Sequence, residues 1–372
     1  MRSMRWLVAP AAILALAAAG CGSSDDSSDD SGGGAATAAE TTADGGGTAT
    51  TASAPVCRGD DIRFQLSFFP NAQHTGYLVA DARGFYRDAG VNVKTIPGGP
   101  TVNPSLQLAQ GNVDMAMMDF SEAVNAKVNG AEIVWVAQTY QSDPLRYVSI
   151  SRDFPLSGPE ALRGAVVGTQ QVGELEPELR GMLEQAGLSL DDIKIRSIDP
   201  SIETLLNRRI DVLPLQTFFH ISQLEEAGYR IPGDIDVLDP NELGVGVAAN
   251  GVGVNKAFYE SHRDAVACFL VGALRGWQTA IDDPRSVQRD VEGAQEAGLA
   301  SPRATAENIE QTIDLVTKKT DGSEADPLEL DMTYLAESQR RLSDAKVIEG
   351  EVDLDELVDP EPLARAKAAQ GG

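Results

Sequence analysis

The chain has few of the residues that most enzymatic and nucleic-acid chemistries need. Of its 372 residues only three are Cys and three are His, and 30 Lys plus Arg stand against 56 Asp plus Glu. The formal net charge of −26 repels nucleic acid and anionic lipid, so nucleic acid is not expected as a partner. His74, His220 and His262 have no His or Cys neighbour at ligand spacing, so no metal site is expected. The sequence contains no P-loop, no nucleophile elbow and no HExxH motif, so it calls for no cofactor and offers no catalytic residue. Gly244-Val245-Gly246-Val247-Ala248-Ala249 matches a dinucleotide fingerprint in spelling only. It follows no clear strand, and it runs into Gly251-Val252-Gly253-Val254 instead of a helix. The plentiful carboxylates permit acid–base chemistry anywhere and therefore specify none. Beyond Ala19 no segment is long and apolar enough for a membrane span of about 20 residues.

What is present first sets a compartment. Arg2 and Arg5 precede an apolar run from Leu7 to Ala19, the layout of an export signal over residues 1–20. Ala18-Ala19-Gly20-Cys21 resembles a bacterial lipobox, which implies cleavage before Cys21 and a lipid on it. An incidental Cys behind an ordinary secretory signal is the alternative. Residues 22–56 are nearly all Gly, Ser, Thr, Ala and acids, with no Lys or Arg. Such a segment cannot offset its ordering entropy, so 21–56 reads as a tether with a reach of roughly 30–35 Å. The expected product is a monomer, exported and lipid-anchored to the outer face of the cell membrane. In an oxidising compartment Cys57 and Cys268 either form a disulfide or remain separate thiols, with Cys268 a small buried apolar residue.

From Asp61 onward short apolar runs alternate with helical stretches. Strands are expected at Ile62–Leu66, Val91–Ile96, Val113–Met118 and Ile133–Ala137, with helices over Thr75–Asp88, Pro104–Gln110 and Ser121–Val128. The phrase returns with strands at Val166-Val167, Ile193–Ile195, Val212-Leu213 and Ile235–Leu238. Ala89-Gly90, Ala186-Gly187 and Ala227-Gly228 each close a helix before a strand. The simplest account is two similar α/β lobes with parallel, helix-covered sheets. Helices over Ala257–Ile281, Val287–Ala297, Ala304–Lys319 and Thr333–Asp344 then pack back on the first lobe.

In parallel α/β sheets ligands gather beyond the carboxyl ends of strands. Four such loops stand out, two from each lobe. In the first lobe Phe69, Asn71 and His74 follow the first strand and Asp119, Phe120 and Ser121 follow the third; beside these loops Asn103 sits in the Gly-Pro-rich stretch after Ile96. From the second lobe come Gln170, Gln171 and Glu174, then Gln216 and Phe218. The mixture suits a flat ring held by stacking and by hydrogen bonds to its edge. Each residue also has a plainer reading: Phe68 as core by alternation, Asp119 and Ser121 as helix caps, Glu174 as a first-turn acid, His220 as a surface or core side chain.

Phe69-Pro70-Asn71-Ala72-Gln73-His74-Thr75-Gly76-Tyr77, Arg83-Gly84-Phe85-Tyr86, Leu108-Ala109-Gln110-Gly111-Asn112-Val113-Asp114 and Leu162-Arg163-Gly164 resemble the SsuA/THI5 (NMT1-like) substrate-binding proteins. The resemblance covers roughly Asp61 to Gln278. It implies a type II periplasmic-binding-protein fold: lobe I of residues 57–149 and 253–372, lobe II of 150–252, with crossings near Val148–Ser151 and Val252–Val254. It further implies a small-molecule ligand handed to an ABC transporter permease. Pro70-Asn71 with His74-Thr75-Gly76 is most similar to the thiamine-pyrimidine-precursor branch, which carries Asn71, His74, Asp119 and Glu174 over as ligand contacts. Sulfonate, nitrate and riboflavin binders share the family. A pyrimidine synthase of the same fold is the enzymatic rival, but its cysteine cluster has no counterpart in Gly244–Asn250. A ligand-sensing ectodomain would use the same lobes.

Overall fold

The computed structural model describes residues 53–169, 176–198, 201–297 and 299–371. The export signal, Cys21 and most of the tether lie outside these residues.

The first sheet is laid down by β1 (Asp60–Gln65), β2 (Val91–Ile96), β3 (Met115–Asp119) and β4 (Ile133–Gln138). Between them run α1 (Thr75–Ala82), α2 (Phe85–Asp88), α3 (Pro104–Ala109) and α4 (Phe120–Val128). The single helix expected over Thr75–Asp88 is two, because Gly84 takes φ 75° and turns the chain between them. Asn103 caps α3 by accepting from the Leu106 amide at 2.8 Å, and Pro104 opens it.

The second sheet begins with β5 (Leu145–Ile150), followed by β6 (Val166–Thr169), α5 (Pro177–Gln185), β7 (Lys194–Ser197), α6 (Ile202–Leu206), β8 (Leu213–Gln216), α7 (Thr217–Glu226) and β9 (Ile235–Leu238). The chain then returns to the first sheet as β10 (Asn250–Asn255). The strand order is β2-β1-β3-β10-β4 in the first sheet, with β10 antiparallel to both neighbours. The second group reads β8-β5-β9, and a bridge between Val167 and Val212 brings the β6–β7 pair alongside β8. Each lobe thus repeats one plan, with a strand that has crossed from the other lobe in the fourth place.

Two expectations change. The sheets are mixed, not wholly parallel, because the crossing strand enters each one reversed. The crossings also lie earlier than Val148–Ser151 and Val252–Val254, which are interior to β5 and β10. The passages between sheets are residues 139–144 and 239–249.

The remaining helices are α8 (Lys256–Ser261), α9 (Arg263–Asp282), α10 (Pro284–Ala294), α11 (Pro302–Thr317), α12 (Met332–Asp344), α13 (Leu354–Leu357) and α14 (Glu361–Gln370). The long helix expected from Ala257 breaks at His262, whose backbone leaves the helical region. α9 lies along α1 with almost no gap: a Cβ on Gly276 would stand 2.0 Å from the Gly76 carbonyl. Around that contact Phe64, Tyr77, Phe269 and Trp277 form one fully buried aromatic cluster, with ring centroids 4.8 to 6.3 Å apart. Truncating one such ring costs about 3–5 kcal/mol, so this cluster anchors the first lobe. Cys57, just before β1, is disulfide-bonded to Cys268 in α9, with Cα atoms 6.1 Å apart.

Candidate functional site

The carboxyl ends of β1, β3 and β8 converge on the start of β10. Asp119 ends β3 and opens α4 with a reciprocal capping box, in which Glu122 accepts from the Asp119 amide at 3.2 Å. Asn250 begins β10 and donates from Nδ2 to Asp119 Oδ1 at 2.8 Å. Gln216 ends β8 at the opening of α7. Asp119, Asn250 and Gln216 line two adjoining compartments, one of about 330 Å³ and one of about 240 Å³.

The larger compartment is aromatic. Phe68, Phe218, Phe219 and His220 form its walls, with Val102, Pro104 and Leu299 at its edges and Asn71 and Gln73 at its base. Asn71 is buried and caps the turn before α1, accepting from the Gln73 amide at 2.8 Å. Tyr140, in the first crossing, ties the two lobes together at this point: its hydroxyl donates to the Gln73 carbonyl at 3.0 Å and its ring packs on Phe218 with centroids 5.8 Å apart. The Gln216 amide donates to Nδ1 of His220 at 3.2 Å, which sets that ring against the cavity.

The smaller compartment is acidic. It is lined by Asp119, Ser121, Asp143, Glu176 and Glu178, with the main chain of the second crossing from Val247 to Ala249. Asp143 is 3% exposed and accepts from the Leu145 amide at 2.8 Å and the Val247 amide at 2.9 Å, so it holds both crossings together. Its carboxyl also contacts that of Glu178, which is 4% exposed, and burial beside Asp143 pushes Glu178 far above the usual carboxylate range. Asp119 faces the cleft and is open to solvent there, while protein walls crowd its other sides and raise its carboxyl to about 6. Glu122 rises to about 7, through burial first and the neighbouring Asp119 second.

Among the residues singled out from sequence, Asn71, Asp119, Ser121, Gln216 and Phe218 line the two compartments. Four do not. Phe69 stands behind Phe68, with ring centroids 5.0 Å apart, and packs over Gly99. His74 is fully buried one shell deeper, with Nε2 3.2 Å from the hydroxyl of Ser67, which does line the cleft. Asn103 spends its side chain on capping α3, and Phe120 is buried edge-on against Trp135 at 5.8 Å. Gln170, Gln171 and Glu174 lie outside the described residues. Phe68, read from alternation as core, is 38% exposed, because β1 ends before it and the period no longer applies. Asn250, Asp143 and Glu178 were not singled out; each looks in sequence like a turn residue or a first-turn helix acid.

A larger groove of about 810 Å³ shares no lining residue with these compartments. Its cations are already paired: Arg146 with Asp239 at 3.0 Å, Lys318 with Asp314 at 2.8 Å and Arg341 with Glu337 at 3.0 Å within the groove, and Lys319 with Glu329 at 2.6 Å beside it. The cleft at Asp119 is narrower, more apolar and built where both lobes meet, the properties of a small-molecule site.

Comparison with known proteins fits this geometry. The sequence profile of the NMT1/THI5-like family matches residues 71–287, and the chain belongs to that family. It is 25% identical over 229 residues to the formylaminopyrimidine-binding protein of Halalkalibacterium halodurans, covering 60% of this chain and 68% of that one. It is 25% identical over 243 residues to the riboflavin-binding protein RibY of Chloroflexus aurantiacus, covering 63% and 67%. In three dimensions it superimposes on a crystal structure described as a putative periplasmic sulfonate-binding protein SsuA from Methylobacillus flagellatus. The TM-score is 0.63 at 13% identity, over 85% of this chain and 96% of that chain, a likeness of fold. The architecture is the two-lobed, type II periplasmic-binding-protein fold.

Proposed function

We propose that this protein captures a small heteroaromatic molecule outside the cell, a thiamine pyrimidine precursor or a related ring, and delivers it to an ABC importer. The observation that carries the reading is the cleft where the lobes meet, with aromatic walls and with Asp119, Asn250 and Gln216 at its centre. Among the described residues no Lys or Arg lines either compartment, and a sulfonate or nitrate would meet no neutralising side chain from them. The curated relatives named for a pyrimidine and for riboflavin both fit a stacking cleft.

The mechanism is closure without bond chemistry. The lobes are hinged at residues 139–144 and 239–249, and a ligand touching Asp119 on one side and Gln216 on the other favours the closed state by its differential affinity. The permease then recognises the closed pair of lobes. Lipid on Cys21 and the tether of residues 22–56 keep the domain close to that permease.

A thermal-shift screen of the ligand-stripped protein tests this, with aminomethyl- and hydroxymethyl-pyrimidines, riboflavin, alkanesulfonates and nitrate. A ligand at 100 times its dissociation constant adds about 2.7 kcal/mol. Stabilisation by a pyrimidine or flavin is expected; stabilisation by sulfonate or nitrate alone would overturn the heteroaromatic assignment.

A further inference from the structure

We infer that the cleft takes a two-part ligand, a flat ring joined to a positively charged, hydrogen-bond-donating arm, and that Asp119 and Asn250 at the junction of the two compartments select the arm. The inference rests on the cleft being the solute site and adds the chemical class of the solute's polar half.

The two compartments adjoin at Asp119, Gln216 and Asn250 and are unlike. Among the described residues aromatic rings line only the first, which holds Phe68, Phe218, Phe219 and His220. Beyond Asp119 the aromatic rings end, and the lining sets the carboxyl groups of Asp143, Glu176 and Glu178 among aliphatic side chains such as Leu145, Leu342 and Val347. A ring alone would leave the second half filled with water against Asp143, Glu176 and Glu178.

Asn250 independently points to a donor on the ligand. It is 8% exposed and lines both compartments. Its Nδ2 is committed to Asp119, and its Oδ1 has no hydrogen-bond partner. Buried acceptors are almost always satisfied, so an unmet one at the junction of a cleft marks where a ligand N–H belongs.

Charge points the same way. The cation that acts on Asp143 is Arg146, which is already committed to Asp239 and to the carbonyls of Asp143 and Leu145. Crowding by protein first, and then the like charge of Asp143 on Asp119 and of Asp119 on Glu122, make these two carboxyls hold their protons more tightly than ordinary ones. An ammonium entering past Asp119 supplies the missing charge, and a hydroxyl of the same size does not.

The test is calorimetric titration of the mature protein, stripped of ligand and refolded with its disulfide intact. The probes are two ring–arm pairs, each an amine with its neutral alcohol: 5-aminomethyl- and 5-hydroxymethyl-4-amino-2-methylpyrimidine, and benzylamine with benzyl alcohol. Riboflavin serves as a ring with a neutral arm. At about pH 7.5 each amine is expected to bind at least about tenfold more tightly than its alcohol, the scale of one charge-assisted hydrogen bond. That preference should shrink to about threefold or less in Asp119→Asn, which keeps the helix cap. Glu122→Gln, which keeps the capping box, provides a second variant should the first fold poorly. Equal or tighter binding of the alcohols overturns the inference, as does an undiminished preference in both variants. Binding of riboflavin with both amines silent overturns the charged arm and leaves the heteroaromatic cleft standing. Failure of every heteroaromatic probe overturns both.

Discussion

Asn250 donates from Nδ2 to Oδ1 of Asp119 at 2.8 Å, joining the strand that has just returned from the second sheet to the cap of a helix in the first. The Asn250 carbonyl meanwhile accepts from the amides of Thr139 and Tyr140 at 2.9 and 3.1 Å, where the chain leaves for the second sheet. One side-chain pair therefore sits at the base of both crossings and at the centre of the cleft.

Phe68→Ala separates binding from folding. The ring is 38% exposed and meets Phe69 edge-on, so unfolding free energy should move by less than about 0.5 kcal/mol in urea. Ligand affinity measured by calorimetry should fall by about 0.5–1.5 kcal/mol, the worth of one aromatic pair. Lost stability with unchanged affinity would make Phe68 a packing residue instead.

Gly276→Ala tests the closest helix contact. The new methyl would lie 2.0 Å from the Gly76 carbonyl, and main chain cannot rotate away as a side chain could. A loss of about 1–3 kcal/mol or more is expected by denaturant unfolding. An unchanged midpoint would contradict the packing of α9 on α1.

The Cys57–Cys268 bond spans a sequence separation of 211 residues and closes the first lobe around its core. Its removal as Cys57→Ser with Cys268→Ala, or its reduction, should lower stability by about 2–5 kcal/mol. A melting temperature unmoved by reductant would show that the bond does not constrain the unfolded chain.

Burial lowers His74 to about 3 from an ordinary value of 6.5. Between those values the unfolded chain binds a proton that the folded chain does not. The stability carried by the neutral ring is therefore whole above pH 6.5 and is lost as pH falls toward 3. In that window the slope is about 1.4 kcal/mol per pH unit. His74→Gln should remove it, which shows as a difference in slope between the two proteins unfolded in urea from about pH 7 to 4.5. Parallel profiles would place His74 where it can protonate in the folded state.

The sequence makes most strands and helices visible because hydrophobic runs, Gly caps and Asn or Asp starts coincide. It hides what depends on the second sheet. Leu145-Arg146-Tyr147-Val148-Ser149-Ile150 has the aromatic and β-branched residues of a strand, yet no helix separates it from β4, so a strand–helix reading passes over it. Pro177 and Glu178 look like an ordinary helix start; only the fold brings Glu178 against Asp143, 35 residues earlier in the chain. Asn250 sits in a Gly-Val-Ala run with no periodicity to mark it, and its role exists only once β10 lies beside β3. Asp119 and Gln216 were legible because each ends a strand, and Asn71 because it lies in the loop that follows one; all three line the larger compartment.

The central claim is that the solute sits between Phe68, Asp119 and Gln216 and not in the larger groove. Its most direct test is the affinity of the strongest stabilising heteroaromatic compound for three proteins: the unaltered chain, a Phe68→Ala, Asp119→Asn double variant, and Lys318→Glu, which reverses a charge in the larger groove. The account predicts a loss of about tenfold or more in the double variant and less than about twofold in Lys318→Glu. The opposite pattern would contradict it.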